Sequence, residues 1–180
     1  LRKLVEKYPG LLEFNPANGM VKFKADMTFT PGSDIVNDKA KQALAEFVKI
    51  LNMPEAQPFH IYIAGHTDDM PISKPETKRI HPNNWYLSVH RAVAVEEVME
   101  GAGLAPVRAG AMGFGEHHPV ADNAPGRKGN ELNRRVEVWI VPQERFLTTD
   151  GATIAPAPMP KATTPKVEKP APAVPAVIGD

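Results

Sequence analysis

Asp68 and Arg91 are the residues whose chemistry and placement could make a binding site. The first is a carboxylate at the end of the apolar alternation Phe59, Ile61, Ile63, and the second is a guanidinium on the helix expected next. One carboxylate and one guanidinium on a shared rim suit a ligand that carries both an ammonium and a carboxylate. Each charge-assisted hydrogen bond contributes about 1.5–3 kcal/mol. A few such bonds, less the cost of association, leave micromolar or weaker affinity. An internal Asp–Arg ion pair with no ligand satisfies the same spacing and, if exposed, adds only about 0–1 kcal/mol.

Helical spacing puts Asn84, Ser88 and Arg91 at i, i+4 and i+7 on one edge. Arg91 is also four residues after Leu87, so it borders the buried stripe. A third polar cluster, Asn133-Arg134-Arg135, precedes the last apolar alternation.

Other chemistries fit less well. Ser88, His90 and Asp68 supply the residue types of a hydrolase, but Ser88 sits mid-helix without a nucleophile elbow or an oxyanion glycine. The six histidines include His66 beside Asp68 and the pair His117-His118, yet no HExxH and no cysteine accompany them, so no metal is expected. The run Gly110 to Gly115 lacks the order and the Lys-Ser/Thr pair of a phosphate loop, so no cofactor is expected.

Composition bounds the chain. Lys+Arg and Asp+Glu both number 21 among 180 residues, which argues against nucleic-acid binding through bulk charge. Without cysteine, disulfides and thiolate sites are excluded. The longest stretch free of Asp, Glu, Lys and Arg runs from Ala56 to Thr67, well short of the roughly 20 residues a spanning helix needs. The start, Leu1-Arg2-Lys3-Leu4, has neither an initiating Met nor a signal-peptide core, and reads as a processed or excised piece. Prolines crowd the last thirty residues, where no apolar period is found, so 146–180 reads as a disordered Pro/Ala/Lys-rich tail.

The elements that must position the charges follow from periodicity. Leu11 to Asn15 and Met20 to Phe29 read as strands around the turn Pro16-Ala17-Asn18-Gly19. Ala40, Ala43, Leu44, Phe47, Val48 and Leu51 form one face of a helix from about Asn37 to Leu51. Phe59 to Ala64 is a strand, followed by a long polar loop. Asn84 is expected to N-cap a second helix reaching Met99. Val107 to Phe114, rich in small residues, reads as a strand against which a helix packs closely. Val136, Val138 and Ile140 mark the last strand. Strands interleaved with two helices predict an α+β two-layer sandwich, with a mixed sheet and helices on one face.

Four pieces in order now resemble a known family: Gly65-His66-Thr67-Asp68; Asn84-x-x-Leu87-Ser88-x-x-Arg91-Ala92; Gly113-x-Gly115 with Pro119 and Asn123; and Asn133-Arg134-Arg135-Val136-Glu137. Together they resemble the OmpA-like peptidoglycan-binding domain, with Pro71-Ile72, Asn84-Trp85 and Gly115-Glu116 most like its MotB group of flagellar stator proteins. The resemblance implies a β/α/β/α/β-β order over 19–145, after a lead-in and first short strand in 1–18. It implies a non-catalytic module that anchors an envelope or stator protein to peptidoglycan through meso-diaminopimelate. Asp68 would take the amine and Arg91 the carboxylate, with Thr67, Asn84 and Leu87 lining the groove. Ser88, Asn133 and Arg134 would have structural or supporting roles.

The resemblance also implies a periplasmic location, tethered to the inner membrane in the full-length protein, and a homodimer. A MotA-like channel subunit would be met through an N-terminal membrane segment that this sequence does not contain. The loop 69–83 looks long and could reshape the groove. An envelope protein–protein interaction domain with a vestigial groove is the alternative.

Overall fold

Alternating apolar residues draw the strands onto one buried face in the computed structural model, which describes residues 1–30 and 32–142. The strands are β1 (Leu12–Asn15), β2 (Met20–Lys24), β3 (Phe59–His66), β4 (Ala109–Gly113) and β5 (Arg135–Pro142). They form one mixed sheet in the order β1-β2-β5-β3-β4. All neighbours are antiparallel except β3 and β4, which run parallel with Gly65 opposite Gly113. A parallel pair needs a crossover, and here it contains helix α5 (Asn84–Gly101). The α+β class and the mixed sheet agree with the sequence reading.

Val138 lies opposite Val21 on one side and Ile63 on the other, and Val136 lies opposite Phe23. These residues share a core with Ala40, Ala43, Leu44, Phe47 and Val48 of α3 (Asp38–Leu51) and with Ala92, Val95 and Met99 of α5. Asn37 caps α3 by accepting from the Ala40 amide at 2.9 Å. Such a cap contributes about 1 kcal/mol. The amino-terminal residues belong to the same core: Leu4 of α1 (Arg2–Lys7), Tyr8, Leu11 and Leu12 are all buried in it.

Three local expectations are corrected. The strand expected to reach Phe29 ends at Lys24, and Ala25–Thr28 form a helical turn, α2. The Ala25 amide donates to the Arg134 carbonyl at 3.0 Å, and the Thr28 hydroxyl turns back to the Lys24 carbonyl at 2.7 Å, so local bonds replace the ladder. The N-cap of α5 is Asn83, whose side chain accepts from the Trp85 and Tyr86 amides, and Asn84 is the first helical residue. The loop 69–83 contains a short helix, α4 (Pro75–Ile80), opened by a proline at its first position. The tail expected over 146–180 lies outside the described residues.

On β5, Arg135 and Glu137 alternate with the core residues and form a buried ion pair at 2.7 Å, with the Trp139 indole also donating to Glu137. Burial alone would raise the Glu137 carboxyl, but His66 and the Arg135 guanidinium outweigh it and hold it at about 2. A depressed carboxyl contributes stability that is complete above its unfolded value, near 4.5, and disappears as pH falls through about 2. Replacing Glu137 with Gln should therefore cost about 3 kcal/mol at neutral pH, because Arg135 is left buried and unpaired. The gap between wild type and variant, measured by urea unfolding, should narrow steadily below about pH 4.5.

Candidate functional site

The cleft is built where the carboxyl end of β3 meets the start of α5. Gly65 and Gly113 allow that meeting: a β-carbon on Gly65 would stand 1.9 Å from the Ser88 carbonyl oxygen, and one on Gly113 2.5 Å from Ser88 Oγ. Ser88 is fully buried. Its hydroxyl donates to the Trp85 carbonyl at 2.8 Å and accepts from the Gly115 amide at 3.0 Å. The hydroxyl thus locks the helix to the loop after β4, and the hydrolase reading loses its nucleophile. The seat of α5 in turn places Arg91 and Leu87 at the wall of the cleft.

That cleft has a volume of about 570 Å³, and its wall includes Asp26, Thr67, Asp68, Asn84, Leu87, Arg91 and Arg134. Both charges singled out in the sequence line it, although Asp68 does not pair with Arg91. Asp68 Oδ2 accepts from Arg134 Nη1 at 2.6 Å, and Asp68 Oδ1 accepts from the Met70 amide at 3.2 Å. Arg134 also forks onto Asp26, with Nε donating to Oδ1 at 2.8 Å and Nη2 contacting Oδ2. Arg134, read from the sequence as supporting structure, is therefore part of the cleft wall.

Arg91 is only 4% exposed. Its Nε donates to the Ser33 carbonyl at 3.0 Å, and its guanidinium lies 5.1 Å from the centre of the Phe29 ring. Burial lowers its pKa to about 10, against the pull of Asp26 and Asp68, so it remains a cation at neutral pH. Hydrogen bonding to Arg134 holds the Asp26 carboxyl below its ordinary value, and the same bonds raise Arg134. Two carboxylates and two guanidiniums thus line one cleft. With the Lys74 ammonium the wall carries both signs and one net positive charge, so it suits a ligand that bears both an ammonium and a carboxylate.

The remaining expected residues divide into two groups. Thr67, Asn84 and Leu87 line the cleft. The Thr67 hydroxyl is buried without a hydrogen-bond partner. Asn84 donates to the carbonyls of Asp68 at 3.2 Å and Met70 at 3.1 Å and to Glu116, so it holds the loop that carries Asp68. Asn133 lies outside the cleft wall and folds the preceding loop, accepting from the Val120 and Ala121 amides and donating to Ala121 and Asn123.

Asp26, Phe29 and Ser33 were not foreseen at the site. Asp26 fell on the outward side of a strand that here has become a helical turn. Gly129 was also missed: a β-carbon there would meet Asp68 Oδ2 at 2.2 Å, and its φ of +75° favours glycine.

Residues 28–134 match the OmpA family model, and the chain belongs to the OmpA family. Among curated proteins, it is 44% identical over 87 residues to motility protein B of Bacillus subtilis, covering 48% of this chain and 31% of that protein. It is 33% identical over 131 residues to outer membrane porin F of Pseudomonas fluorescens, covering 71% of this chain and 36% of the porin. The chain therefore spans about a third of the length of these relatives. Among solved structures, a MotB-like protein from Desulfovibrio vulgaris superposes with a TM-score of 0.65 at 26% identity, over 78% of this chain and 88% of that one. The cell wall anchor of the T6SS from Pseudomonas aeruginosa gives 0.64 at 26% identity, over 79% and 96%.

Gly129→Ala should push Asp68 away from Arg134 and cost about 1–2 kcal/mol through its left-handed backbone. Urea titration measures the cost, and a crystal structure of the variant should show the lengthened Asp68–Arg134 contact.

Proposed function

We propose that this domain is a non-catalytic peptidoglycan-binding module that anchors an envelope protein of MotB type to the cell wall. The observation that carries the reading is that Asp68 and Arg91 line one cleft without pairing with each other. The ligand is the free end of meso-diaminopimelate in the stem peptide, which bears an ammonium and a carboxylate on one carbon. Its ammonium joins Asp68, which shares its charge with Arg134, and its carboxylate takes the Arg91 guanidinium. The relatives named motility protein B and cell wall anchor support this assignment.

Because the hydrogen bond to Ser33 holds the guanidinium before the ligand arrives, little ordering entropy is lost on binding. Modest affinity at one site suffices on a polyvalent wall, and a second copy of the chain multiplies it through effective concentration. The same reading places the domain in the periplasm and makes a homodimer and a MotA-like channel subunit its partners. Among the described residues no helix is long and apolar enough to cross a membrane.

Co-sedimentation with purified sacculi tests the proposal. Asp68→Asn and Arg91→Lys should each weaken binding at least about tenfold, the loss of one charge-assisted bond, with unchanged circular dichroism. Walls whose stem peptide carries lysine in place of diaminopimelate should bind as weakly as the variants. Equal retention of wild type and both variants on diaminopimelate walls would overturn the site. A folded wild type that ignores sacculi and captures an envelope protein would favour the vestigial-groove alternative, for which the Asp68–Arg134 pair would be structural only.

A further inference from the structure

Beside the cleft, Asp34, His81 and His90 meet from three separate parts of the chain. His81 caps the carboxyl end of α4, His90 precedes Arg91 on α5, and Asp34 follows the Ser33 whose carbonyl holds Arg91. His81 Nδ1 lies 2.8 Å from His90 Nδ1, and His81 Nε2 lies 3.6 Å from Asp34 Oδ1. One donor atom from each residue falls within 4.8 Å of the other two. His81 is buried while Asp34 and His90 are half-buried, so the cluster has a solid floor and a path to solvent.

We propose that Asp34, His81 and His90 form a binding site for a divalent transition-metal cation, which ties the α4 segment to α5. Two imidazoles and a carboxylate are the donors that zinc, cobalt and nickel prefer, whereas magnesium and calcium require oxygen shells. Two nitrogens on a tetrahedral zinc, each at about 2.0–2.1 Å, stand roughly 3.3 Å apart. An ion between the two Nδ1 atoms requires that pair to open by about half an ångström and, because Asp34 faces Nε2 on the other edge of the His81 ring, the Asp34 side chain to turn toward it, with water completing the shell.

The nearby Arg91 opposes a cation, and the Asp34 carboxylate offsets it. Lys74 and Thr77, on the segment that ends at His81, line the cleft, so the ion would fix one rim of the groove. No sequence motif announces the site, because its ligands come from three elements.

Isothermal titration of the chelator-treated chain with zinc, and visible spectroscopy with cobalt, test the proposal. The expected result is one equivalent bound, tetrahedral cobalt bands and a higher melting temperature with zinc. His90→Gln and Asp34→Asn, both at half-buried positions that tolerate an amide, should lose the bands and the melting shift while remaining folded. A double variant of His117 and His118 to Ala should retain both. Absence of binding by wild type, or binding that survives in His90→Gln and disappears in the His117/His118 double variant, would overturn the assignment and leave the imidazole pair a hydrogen bond alone.

Discussion

A guanidinium in the buried stripe of a helix is the constraint around which this domain is arranged. Arg91 occupies a position on α5 that would ordinarily hold an apolar side chain, between Leu87 and Val95. Desolvating a charge there costs several kcal/mol unless partners replace water. The Ser33 carbonyl, the Phe29 ring and the carboxylates of Asp26 and Asp68 supply that replacement. Three of these partners lie between Asp26 and Ser33 and the fourth follows β3, so the buried charge ties α2 and the loop after it to the end of β3.

The second guanidinium, Arg134, engages both carboxylates of the cleft. It joins Asp26 to Asp68 and thereby prevents either carboxylate from neutralising Arg91 directly. A direct Asp68–Arg91 pair would have filled the site with its own salt bridge. The observed pattern keeps opposite charges in one wall, and a ligand bearing both signs can add to it without leaving a net buried charge. The proposed cation site nearby extends the same logic to the rim, where a metal would act on the segment that borders the cleft.

Legibility from sequence follows the physics of each element. Helix α3 was readable because its buried face is wholly apolar, from Ala40 to Leu51. In α5 the buried stripe includes Asn84, Ser88 and Arg91 while Val89 and Val93 face outward, so periodicity blurred at the helix that carries Arg91. The small residues of β4 correctly signalled close packing, since Gly113 lies against Ser88. The turn at Ala25–Thr28 was hidden because alternation continues through Ala25, Met27 and Phe29, while the bonds that favour the turn run from the Ala25 amide to the distant Arg134 carbonyl and from the Thr28 hydroxyl to Lys24. Asp68 and Arg91 were recognisable by type and position, but their true partners, Arg134 and Ser33, lie far away in sequence and are set by tertiary structure.

The most direct test of the account is nuclear magnetic resonance of the Arg91 and Arg134 guanidinium groups during titration with a stem tripeptide ending in meso-diaminopimelate. The account predicts saturable shifts in both side chains, with contacts from the ligand carboxylate to Arg91. Perturbations confined to residues outside the cleft, with both guanidinium groups unchanged at saturation, would contradict it.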